Sequence, residues 1–78
     1  MELALCRIGH TWLIALYLPA EHRSLDRTHE FASAIAALSY VAHWQHEGAT
    51  IRPASQVAYA TLVEEAARAG AVVRAVGE

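Results

Sequence analysis

Five histidines, His10, His22, His29, His43 and His46, are dense for a chain of 78 residues and are the first candidates for chemistry. His43 and His46 are three apart and Glu47 is four beyond His43, so on a helix all three approach one face, and two imidazoles with a carboxylate make a set that zinc accepts. The spacing is not that of the metalloprotease motif, whose histidines are four apart with a glutamate beside the first. Histidines in the last turn of a helix are also favoured by the helix dipole while staying hydrated. That second reading is preferred, and neither a metal nor a cofactor is expected. His22, Asp26, His29 and Glu30, with Arg23 and Arg27 among them, supply the residue types of phosphodiester cleavage: a proton shuttle near neutrality and a guanidinium for a developing phosphorane. No second segment provides a facing wall, and a concave site with convergent polar groups is hard to build in so short a chain. A small nuclease or toxin is therefore the alternative, and a polar helix-entry loop the leading reading. Cys6 alternates with Ala4 and Ile8 on an apolar strand face and is expected to pack in the core rather than act as a nucleophile.

Composition bounds what these residues could serve. At 78 residues one domain, spanning 1–78, is the expectation. A hydrophobic fraction of 55% with 18% charged residues places the chain far from disorder. A single cysteine excludes an internal disulfide and a four-thiolate zinc site, so a reducing cytoplasm is expected. The six basic residues are all arginine and stand against eight carboxylates for a formal charge of −2. Phosphate binding requires a basic stripe, and arginines 7, 23, 27, 52, 68 and 74 are scattered, so direct nucleic-acid binding is not expected. Residues 12–18 form an apolar run of seven, against about 20 for a membrane-spanning helix, so neither a membrane segment nor export is expected. The glycines at 9, 48, 70 and 77 are too dispersed for a phosphate-binding loop.

The elements that would position these residues follow from periodicity. Glu2–Ile8 and Thr11–Leu18 are apolar runs separated by Gly9 and His10, a two-residue hairpin signal with glycine where a type II′ turn needs it. In the second strand Trp12, Ile14, Leu16 and Leu18 share one face and Leu13, Ala15 and Tyr17 the other. Both faces are apolar, so helices are expected on one side and a partner or partial cover on the other. Residues 19–27 are polar, and Asp26 or Thr28 is the expected cap of a first helix. Its core stripe reads Phe31, Ala34, Ile35, Leu38, Val41 and Ala42, with Ala36, Ala37, Tyr40 and Trp44 alongside, and it ends at Gly48. Residues 49–52 are a short strand or a linker, and Pro53 opens a second helix. Tyr59, Leu62, Val63, Ala66 and Gly70 face its core, and Thr61, Glu64, Glu65 and Arg68 face water. Gly70 is the expected cap, followed by a valine-rich strand at 71–76. The expected fold is α+β: a small two-layer sandwich, ββα(β)αβ, with two helices on one face of a three- to four-stranded, largely antiparallel sheet. A DNA-reading helix-turn-helix is disfavoured, because the second helix turns Glu64 and Glu65 outward where phosphates would lie.

Tyr40 and Trp44 exceed what one thin core uses, and aromatic residues with arginine dominate binding hot spots. They are the expected partner-binding residues, together with the carboxylates Glu47, Glu64 and Glu65. In its size, its layout and its lack of a catalytic motif, the chain resembles the small inhibitors carried by phages and mobile elements, anti-CRISPR proteins among them. The alanine-rich, lysine-free and asparagine-free composition agrees with a GC-rich bacterial or phage genome. The resemblance implies a non-enzymatic inhibitor that obstructs a Cas effector by competing with DNA for its lysines and arginines. A monomer or weak homodimer is expected, the latter through the surplus apolar face of the first helix.

Overall fold

The computed structural model describes the backbone of residues 1–18, 20, 23–24 and 28–77, and the side chains of residues 1–18, 20 and 28–70. Strand β1 (Glu2–Ile8) and strand β2 (Thr11–Leu18) form an antiparallel hairpin in continuous register from Glu2 opposite Tyr17 to Ile8 opposite Thr11. Gly9 takes φ 61°, the positive value that the first position of a primed hairpin turn requires. Two short strands border β2: β3 (Arg23–Ser24), opposite Tyr17 and Leu18, and β4 (His29–Phe31), opposite Trp12 to Ile14. Helix α1 (Ala34–His46) follows, then β5 (Thr50–Ile51), parallel to the start of β1. A 3-10 turn at Pro53–Ser55 leads into helix α2 (Gln56–Gly77). The sheet order is β3-β2-β1-β5 with β4 also on β2, and the element order is ββββαβα. The fold is a small α+β domain with a mixed, largely antiparallel sheet and two helices packed on it.

The hairpin alternation carries through to the core. Leu3 and Leu5 of β1 and Trp12, Ile14 and Leu16 of β2 turn to one side, where Ala37 and Val41 of α1 and Leu62 of α2 seal them. These residues are at most 5% exposed, and burying a side chain of leucine or isoleucine size stabilises by about 1.5–3 kcal/mol. Leu13 and Ala15 lie on the opposite face.

Helix α1 starts later than the spacing predicts. Residues 29–31 bond to the edge of β2, so Phe31 packs toward the core from a strand, and the cap is Ser33 rather than Asp26 or Thr28. The Ser33 hydroxyl accepts from the Ala36 amide at 3.3 Å. The core-facing stripe is rotated accordingly: Ala37 and Val41 are buried, whereas Ile35 is 42% exposed. The helix ends at Gly48 as expected. Gly48 has φ 97°, its amide donates to the Gln45 carbonyl at 3.0 Å, and the Ala49 amide donates to that of Trp44 at 2.9 Å. These two bonds form a Schellman motif, with Ala49 buried beside the helix end.

Residues 71–76 are not a strand; α2 continues through them to Gly77. Gly70 lies inside the helix and is not among the glycines with positive φ. The outer edge of β1 is taken from Met1 to Leu5. The Thr50 amide donates to Met1 at 3.2 Å and the Arg52 amide to Leu3 at 3.0 Å. One residue pair further along, the Ser55 hydroxyl accepts from the Leu5 amide at 2.9 Å and donates to the Leu5 carbonyl at 3.2 Å. The alanine- and valine-rich segment satisfies its backbone within the helix instead.

Candidate functional site

Among the described residues two apolar surfaces are open. The first is the sheet face away from the helices. Ala4 pairs with Ala15 and Cys6 with Leu13, and these four side chains, with Leu5 and Thr28, line a shallow hollow of about 260 Å³. Ile8 continues the same face at 66% exposure. Glu30 stands opposite Leu13 on β4 and brings a carboxylate to its border. At the other end the Arg52 guanidinium lies 4.2 Å from the centre of the Tyr17 ring and 3.6 Å from a Glu2 carboxylate oxygen. Cys6 is exposed here, not packed in the core as expected. Its strand face is apolar as expected, but the helices pack on the other face of the sheet.

The second is a groove between α1 and α2, about 500 Å³ and open to solvent, lined by Ile35, Leu38 and Ala42 on one side and Val63, Ala67 and Gly70 on the other. Small residues on α2 leave it shallow and nearly free of polar atoms.

Tyr40 and Trp44 occupy the opposite flank of α1. Tyr40 stacks obliquely against His29 and Phe31, each with ring centres 5.1 Å apart, and meets Trp44 edge-on at 6.5 Å. His43 packs edge-on against Trp44 at 5.3 Å. Both residues are half-buried against the core, and the Trp44 indole N–H is shut from solvent without a hydrogen-bond partner among the described residues. Glu47 is exposed at the C-cap of α1, and Glu64 is exposed on α2. Glu65 forms an ion pair with Arg7, whose guanidinium also lies 5.6 Å from the Trp12 ring centre and whose Nε donates to the Gly9 carbonyl at 2.9 Å. The expected contacts thus fall on separate surfaces: Tyr40, Trp44 and Glu47 along α1, Glu64 on the outside of α2, and Glu65 turned toward β1.

The expected catalytic alternative is only partly visible. His22, Asp26 and Arg27 lie outside the described residues, and of Arg23 only the backbone is described. His29 and Glu30 are successive residues of a strand rather than a helical turn, so they point to opposite faces, His29 toward Tyr40 and Glu30 toward the border of the open sheet face. Among the described residues no group of three or more histidine, cysteine, aspartate or glutamate side chains is arranged to hold a metal ion. No helix among the described residues is long and apolar enough to cross a membrane. The chain matches no protein-family model, no curated protein and no solved structure.

Proposed function

We propose that this chain is a non-enzymatic protein-binding module that acts by occupying a surface of a larger partner. The supporting observation is the one-sided sheet: on its apolar face away from the helices Cys6 and Ile8 are exposed and Ala4, Leu13 and Ala15 are half-buried. Removing such surface from water contributes about 25 cal/mol per Å², so a partner that presents an apolar patch is stabilised by docking there. The exposed carboxylates Glu30, Glu47 and Glu64 and the charge of −2 favour a partner whose apolar patch adjoins lysines and arginines. A Cas effector or surveillance complex in a bacterial cytoplasm, whose DNA channel is basic, has that chemistry. The module would act there as an inhibitor of the anti-CRISPR kind. Tyr40, Trp44 and Glu47 form the other candidate contact, on α1.

The test titrates the purified chain into Cas effector complexes carrying labelled target DNA, and follows DNA release by fluorescence anisotropy and alkylation of Cys6 by iodoacetamide. Release of DNA, slower Cys6 alkylation in the complex, and loss of both in Leu13→Glu are the expected results. Release that persists in Leu13→Glu but disappears in Tyr40→Ala or Trp44→Ala moves the contact to α1. DNA binding that is unchanged at saturating chain removes the inhibitor reading.

A further inference from the structure

We draw no further inference here: the strongest candidate, the apolar groove between α1 and α2 lined by Ile35, Leu38, Ala42, Val63, Ala67 and Gly70, carries none because nothing in the structure shows what covers it.

Discussion

Ser55→Ala is expected to destabilise this protein more than any other single hydroxyl removal in the described chain. Ser55 is 5% exposed and satisfies both polar groups of Leu5 on the outer edge of β1, where β5 is too short to reach. Alanine leaves a buried amide and a buried carbonyl without partners, at about 1–3 kcal/mol for each unsatisfied group. Burial of the extra apolar surface offsets part of this, for a net loss of about 2–4 kcal/mol. A chain of this length is stable by about 4–12 kcal/mol in total, so a third of the folding free energy is at stake. For a domain of this size each kcal/mol moves the melting temperature by about 4–8 °C, which puts the variant about 10–30 °C below the intact chain. Thermal unfolding followed by circular dichroism measures the shift, and amide hydrogen exchange locates it: the Leu5 amide, which loses its acceptor, should lose protection more than the Arg52 amide, which keeps its bond to the Leu3 carbonyl. A melting temperature lowered by only a few degrees with Leu5 protection unchanged would refute the assignment of Ser55 as the closure of that edge.

Two further outcomes follow from the same geometry. Arg7→Ala removes an ion pair to the half-buried Glu65 and the cover over Trp12, for a loss of about 1–2 kcal/mol in chemical denaturation; a double-mutant cycle with Glu65→Gln should show non-additive losses, and strict additivity would dissolve the pairing. Gly48→Ala should cost about 1 kcal/mol from backbone strain alone, since φ is 97° and an added Cβ would meet nothing within 4 Å; Gly48→Asn should cost less, and equal stability for all three residues would show that the helix ends by another device.

What the sequence determined by itself was whatever depends on neighbours along the chain. Gly9 and His10 between two alternating runs fixed the hairpin and its register, because a two-residue loop leaves one pairing and a period of two leaves one choice of faces. Gly48 ended α1, since a left-handed residue there completes a local capping motif. Pro53 marked the approach to α2. The apolar character of both sheet faces was legible too, and with it the expectation that one face would lack a helical cover. What the tertiary structure decided was whatever depends on which edges and faces remain vacant. Phe31 extends the three-and-four spacing of α1 in the sequence, yet it lies in a strand because the edge of β2 was open to residues 29–31. The valines at 71–76 read as a strand but extend α2, their backbone bonded within the helix rather than to the sheet. Cys6 is exposed for a related reason: period two states which residues share a face, whereas only packing states which face receives the helices. The same division governs the candidate sites. Tyr40, Trp44, Glu47, Glu64 and Glu65 could be singled out by type, but their distribution over separate surfaces arises from contacts between residues distant in sequence, of which Arg7 with Glu65 and Leu5 with Ser55 are the clearest, and no local pattern encodes those.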